Sequence, residues 1–144
     1  MASAAGSYAI KAVPRPLMFQ ISGIIGTALF YVAYEAIYAA NQVDFHRAGV
    51  SWALSYGLSI LWQHALHRYL VFGPHGNYVK SLIYCYVCYA LSIVLSSLVM
   101  DLLVEVMHLE YHHAWIASLV ATGAINYLTV STAFSASEEP KRQD

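Results

Sequence analysis

Four stretches of the chain carry almost no charge, and the polar residues left inside them recur at helical spacing. Leu17 to Ala40 holds one acid, Glu35, and follows Pro14-Arg15-Pro16, which resists continuation of a helix from upstream. Val50 to Phe72 is bounded by Asn41 to Gly49 and by the turn Gly73-Pro74-His75-Gly76-Asn77. Val79 to Leu103 and Ala114 to Phe134 complete the set, separated by Val104 to His113, which is polar enough to be predicted as a loop. Each stretch reaches the roughly 20 apolar residues that one helix needs to cross hydrocarbon. The pattern predicts an all-α, polytopic membrane protein with four transmembrane helices, and its short connections make neighbouring helices antiparallel hairpins. Residues 1–16 form an N-terminal arm, 17–134 the transmembrane domain and 135–144 a polar C-terminal tail.

At about 100° per residue the polar and small side chains fall into stripes. Gln20, Gly23, Thr27, Tyr31, Tyr34 and Tyr38 share one face of the first helix, and Trp52, Tyr56, Ser59, Gln63 and His67 one face of the second. Ser81, Cys85, Cys88, Ser92 and Ser96 line the third, and Ser118, Thr122, Asn126 and Thr129 the fourth. Membrane helices approach and hydrogen-bond one another through such residues, so the four stripes predict one bundle.

Composition and charge agree with this reading. Only 10% of the residues are charged, against the roughly one quarter of a water-soluble domain, and 59% are hydrophobic. A net charge of −1 offers no nucleic-acid surface. Lys11, Arg15, Arg68, Lys80, Lys141 and Arg142 fall on one side of an even-numbered topology and only Arg47 on the other, which predicts both termini on the cytoplasmic side. The arm has no apolar core of its own, so a cytoplasmic segment is a better reading than a targeting peptide. Cys85 and Cys88 sit mid-span, without the electropositive surroundings of a redox pair.

Candidate chemistry gathers at the end of the second span, where "WQHALHRYLVF" brings Gln63, His64, His67 and Arg68 together. Arg68 offers a planar fork suited to a phosphate, and the neighbouring side chains supply neutral hydrogen-bonding groups for a sugar; snorkelling of Arg68 and hydrogen bonding between helices are the alternatives. Glu35 is an intramembrane acid and a candidate for proton coupling, as in small multidrug exporters. Asp101 and Glu105, a turn apart, read as a solvated edge. In "EVMHLEYHH" Glu105-x-x-His108 is half of a di-iron motif and His108-x-x-x-His112-His113 one histidine box, but a metal pair needs several boxes, so the stretch reads as a polar loop with no metal expected; a lone zinc or copper on His108, His112 and a carboxylate is the alternative. No nucleophile with a base, phosphate loop or nucleotide motif is present, so neither an enzyme nor a cofactor is predicted.

The ends of the second and fourth spans, "QHALHRYLVF" and "INYLTVSTAF", align as a sparse internal repeat that pairs His64 with Asn126 and Phe72 with Phe134, dividing the chain into two hairpin repeats. With "FQISGIIGTALFYVAYEAIYAA" they resemble the GtrA-like family of small four-helix membrane proteins, over about Leu17 to Phe134. The resemblance implies translocation or handling of polyprenyl-phosphate-linked sugars for glycan or polysaccharide assembly, alone or as an accessory subunit beside a glycosyltransferase. It carries over to Arg68, Tyr69 and Phe72 in the first motif and to Asn126, Tyr127 and Phe134 in the second. His64 stands where the family has an asparagine, and Val130, Ser131 and Thr132 stand where it has a second basic residue. A structural subunit of a larger membrane complex, docking through its tyrosine-rich third helix, is the alternative.

Overall fold

In the computed structural model the described residues are 14–72 and 77–137, apart from the side chains of Arg15, Phe72 and 125–137. The Asn126 side chain, most of the arm, the 73–76 turn and the end of the tail lie outside them. Among the described residues there are four helices and no strand: α1 (Arg15–Ala40), α2 (Arg47–Leu66), α3 (Tyr78–Asp101) and α4 (Tyr111–Ser137). Two π-helical segments extend the middle pair, π1 (His67–Phe72) after α2 and π2 (Leu102–Val106) after α3. By length and apolarity, Pro16–Ala40 and Tyr78–Val106 are each sufficient to cross a membrane.

The interior is the reverse of a soluble core. Its fully buried positions are rich in small hydroxyl residues, with Ser22, Ser51, Ser55, Ser59, Ser96, Ser118 and Thr122 inside, while large apolar side chains such as Ile24, Leu54, Val87 and Val120 face out. Without a hydrophobic drive between helices in lipid, close approach and hydrogen bonding hold the bundle together. The Ser55 and Thr122 hydroxyls return to carbonyls of their own helices, each at 2.6 Å. The larger buried groups, Phe30, Tyr34, Trp52, Met100 and Trp115, form one aromatic-rich cluster.

Bonds between helices fix an up-down-up-down order. Trp52 Nε1 donates to Ser96 Oγ at 2.8 Å and the Tyr86 hydroxyl to the Gly57 carbonyl at 2.8 Å, so α2 and α3 run antiparallel. Trp62 Nε1 donates to the Gly26 carbonyl at 3.2 Å across α1 and α2. The turn joining α1 to α2 is bolted by Arg47, whose Nε and Nη2 both donate to the Tyr38 carbonyl at the end of α1, while its guanidinium lies 4.3 Å from the Tyr38 ring centre.

Three expectations are corrected here. Asp101 and Glu105 do not form a solvated edge: Asp101 Oδ1 accepts the Gly49 N–H at 2.6 Å and its Oδ2 pairs with His46 Nδ1 at 2.7 Å. A carboxylate from α3 thereby caps α2, because the first-turn N–H groups of a helix lack intrahelical partners and its N-terminus attracts negative charge. The loop predicted over Val104 to His113 is shorter, since π2 carries the third helix to Val106 and α4 begins at Tyr111. On α1 the buried row is Ser22, Gly26, Phe30 and Tyr34, whereas Gln20 is exposed. Both rows have helical spacing and share Tyr34, and close approach to α2 selects the one with Ser22 and Gly26.

Glu110 prepares the start of α4: its Oε2 accepts from the backbone N–H groups of His112 at 3.2 Å and His113 at 3.4 Å. Leaving water works against the charged form, but these bonds and the two imidazoles outweigh it and hold the Glu110 carboxyl below the usual range.

Candidate functional site: a polar cavity within the bundle

A cavity of about 250 Å³ lies among the helices. The whole stripe predicted on the second helix, Trp52, Tyr56, Ser59, Gln63 and His67, forms its wall, joined by His64. Thr27 and Phe30 contribute from α1, Cys85 and Tyr89 from α3, and Leu119, Thr122 and Gly123 from α4. Gln63, His64 and His67 are thus brought together, at the end of the bundle that also carries Arg68.

The hydrogen bonds of the two histidines determine what they present. Ser81 Oγ donates to the Tyr78 carbonyl at 3.0 Å, so its oxygen accepts from His64 Nε2 at 2.9 Å. That leaves Nδ1 of neutral His64 as an acceptor, and this atom is buried without a hydrogen-bond partner. The same logic holds at His67. Ser22 Oγ donates to the Phe19 carbonyl at 2.8 Å and accepts from His67 Nδ1 at 2.9 Å, making Nε2 the acceptor. The Phe19 ring stacks on His67 at 4.8 Å and fixes its plane. The expected hydrogen bonds between helices are therefore present, and they also leave acceptor nitrogens on two side chains of the cavity wall.

Gln63 is positioned by a glycine. A Cβ at Gly26 would stand 2.9 Å from Gln63 Cδ, so a larger residue there would make this side chain shift from its place between α1 and α2. Arg68 is not part of the cavity wall. It lies on π1, half-buried, with its guanidinium 5.5 Å from the Tyr78 ring centre, and the edge-on contact of that ring with His64 spans 4.8 Å. Tyr78 is therefore the link between the arginine and the cavity. Sequence reading missed Tyr78, Ser22 and the role of Gly26; the four-residue spacing of Ser22, Gly26 and Phe30 was the available signal for the last two.

The remaining candidates lie elsewhere. Glu35 sits on the seam between α1 and α4, where its Oε2 accepts from the Tyr111 hydroxyl at 3.2 Å. Its Oε1 is buried without a hydrogen-bond partner, 3.4 Å from His112 Nδ1, and that nitrogen bonds the Tyr31 hydroxyl at 3.0 Å. Of the metal-box residues, His112 turns to this seam and His113 pairs with Glu110 at 2.9 Å. Glu105 instead gathers with His46 and Asp101, their potential ligand atoms within 4.8 Å of one another, but Asp101 is already engaged in capping α2. Cys85 lines the cavity while Cys88 is exposed on the outside of α3.

The family description GtrA/DPMS, transmembrane domain, matches residues 18–134, which covers all four helices. No curated protein and no solved structure matches the chain. With most of its length matched, an inverted interior and apolar outer faces, the chain belongs to the GtrA/DPMS transmembrane-domain family and is an integral membrane protein.

Proposed function

We propose that the cavity receives the sugar of a polyprenyl-phosphate-linked sugar and that the protein moves or presents such lipids during glycan assembly, without catalysing a reaction itself. The observation that carries this reading is the gathering of Gln63, His64 and His67 on one cavity wall, with His64 Nδ1 an acceptor that has no partner within the fold. A buried acceptor left unpaired is costly, and a sugar hydroxyl is a donor of the right kind. The cavity, at about 250 Å³, is close to the roughly 300 Å³ at which small-molecule pockets begin, a size for one sugar rather than an oligosaccharide. Thr122, Ser59 and Gln63 add further polar groups, and Tyr56 offers aromatic surface. Arg68, one ring away, is the partner for the phosphate, and the positive-inside bias favours the cytoplasmic face for this end of the bundle. Membership of the family supports the substrate class.

The test is binding of undecaprenyl-phosphate sugar to the purified protein in lipid nanodiscs, followed by native mass spectrometry. Arg68→Ala is expected to weaken binding at least about tenfold, since a charge-assisted bidentate contact is lost, and Arg68→Lys to recover part of it. Wild-type affinity in Arg68→Ala would remove the assignment of the phosphate to this residue.

A second reading concerns Glu35. We propose that the Glu35–His112 contact is a proton-responsive latch between α1 and α4, because one carboxylate oxygen there is sealed without a hydrogen-bond partner beside an imidazole that also holds Tyr31. Tyr111 and Glu110 are the other titratable groups that face it. Glu35→Gln is expected to abolish the pH dependence of transport in proteoliposomes while leaving the protein folded. A pH profile identical to wild type would sink this reading.

A further inference from the structure

The helix α1 has a second, unexplained concavity. On its side towards α4 lies an open groove of about 640 Å³, whose wall includes Gly23, Thr27, Ala28, Tyr31 and Trp115. We propose that this groove holds the first isoprene units of the lipid whose head group occupies the central cavity, and so lays the start of the tail along the outer face of α1. The proposal rests on the head-group reading above and adds to it the place and path of the tail.

Three observations converge on a lipid chain. Thr27 is wall to both the groove and the cavity, so the two spaces lie on either side of one residue of α1, close enough for a head group and the start of its tail to occupy both sides. The groove lies on a helix long and apolar enough to span a membrane, so what it meets is hydrocarbon rather than water. Gly23, inside that helix, has nothing within 4 Å of the position its Cβ would take. Glycine weakens a helix interior, and here no contact within the chain requires it; at Gly26, three residues on, the packing of Gln63 does. What Gly23 provides is open space on the groove.

The ends of the groove give the tail a direction. Tyr31 and Trp115 close one end with an edge-to-face contact at 5.0 Å, and the Tyr31 hydroxyl is tied to His112. The other end runs towards Gln20, at the level where Ser22 meets His67 and near the end of the bundle that carries Arg68. A tail entering there keeps its phosphate at Arg68 while the chain lies along α1. A second copy of this chain is a poorer occupant. A helix is about 10 Å across, and the groove would seat only a turn or two of one.

The test uses two probes on protein in phosphatidylcholine nanodiscs, read by native mass spectrometry: undecaprenyl phosphate, and citronellyl phosphate, which has the same head and a chain too short to run along the groove. Gly23→Leu fills the groove from its floor, starting from a Cβ position with nothing within 4 Å, and Ala28→Phe fills it from an exposed position. Size-exclusion chromatography and circular dichroism confirm that each variant is folded. The expected result is undecaprenyl phosphate bound roughly tenfold more weakly in either folded variant, by steric exclusion, with citronellyl phosphate bound as in wild type. Undecaprenyl phosphate bound at wild-type strength in both variants would overturn the proposal, as would equal weakening of the two probes. Unchanged lipid binding with a loss of self-association would assign the groove to a second copy. If wild type binds neither probe, the head-group reading fails and the tail path with it, whereas citronellyl phosphate binding without any chain-length effect would defeat the groove alone.

Discussion

Gly49→Ala should destabilise the protein by about 3 kcal/mol, more than a helix-favouring substitution on a first turn would suggest. A Cβ at Gly49 would overlap the Asp101 carboxylate, which sits against the α2 backbone and is only 14% exposed. The added methyl expels that carboxylate, so the Gly49 N–H loses its acceptor and His46 loses its partner. Asp101→Ala removes the same bonds without a clash and should cost about 2 kcal/mol. The double variant separates the two causes. With the carboxylate gone, Gly49→Ala adds only a better helix former and should be neutral or slightly stabilising, a reversal of sign that thermal unfolding in detergent would read directly. Additive penalties would mean that the tight approach of α3 to α2 is not what requires glycine.

That contact also shows where reading the sequence reaches its limit. Asp101 and Glu105 lie a turn apart at the end of an apolar stretch, and nothing local distinguishes a solvated pair from a cap on another helix whose first turn is 52 residues away. The number and approximate extent of the helices were legible because lipid imposes long runs without charge, and a run of that kind has few alternative folds. The face of α2 was legible too, because Trp52, Tyr56, Ser59, Gln63 and His67 are larger or more polar than their neighbours and repeat at a helical period. The face of α1 was legible only in part: Tyr34 and Thr27 do turn inward, but Gln20 outranks Ser22 and Gly26 in polarity while packing favours the smaller pair. Nothing in the residues marked π1, whose wider turns begin at His67 and carry Arg68. The cavity itself follows from pairing four faces, and a single chain does not state which faces meet.

Trp52→Ala should be the most damaging single substitution in the interior, costing about 3 to 5 kcal/mol. The side chain is fully buried and stands between the Phe30 ring at 5.0 Å, the Trp115 ring at 6.0 Å and the Tyr34 ring at 6.2 Å, with its Nε1 bonded to Ser96. In a bilayer the penalty comes from lost van der Waals contact rather than from hydrocarbon returned to water, and a partly collapsed site recovers little of it. Because Trp52 is also wall to the cavity, its loss joins that space to the void left in the aromatic cluster. Trp52→Phe keeps ring contacts but gives up the bond to Ser96, so it should cost roughly 1 to 2 kcal/mol and leave lipid binding nearly intact. Denaturant unfolding followed by circular dichroism gives the stabilities, and native mass spectrometry of the folded fraction gives the binding. If Trp52→Ala weakens sugar-lipid binding while folded and Trp52→Phe does not, the aromatic cluster supports the cavity by defining its wall. If both variants bind as wild type, the head group sits nearer Arg68 and His64 than the cavity's inner end, and the wall formed by Trp52 serves the fold alone.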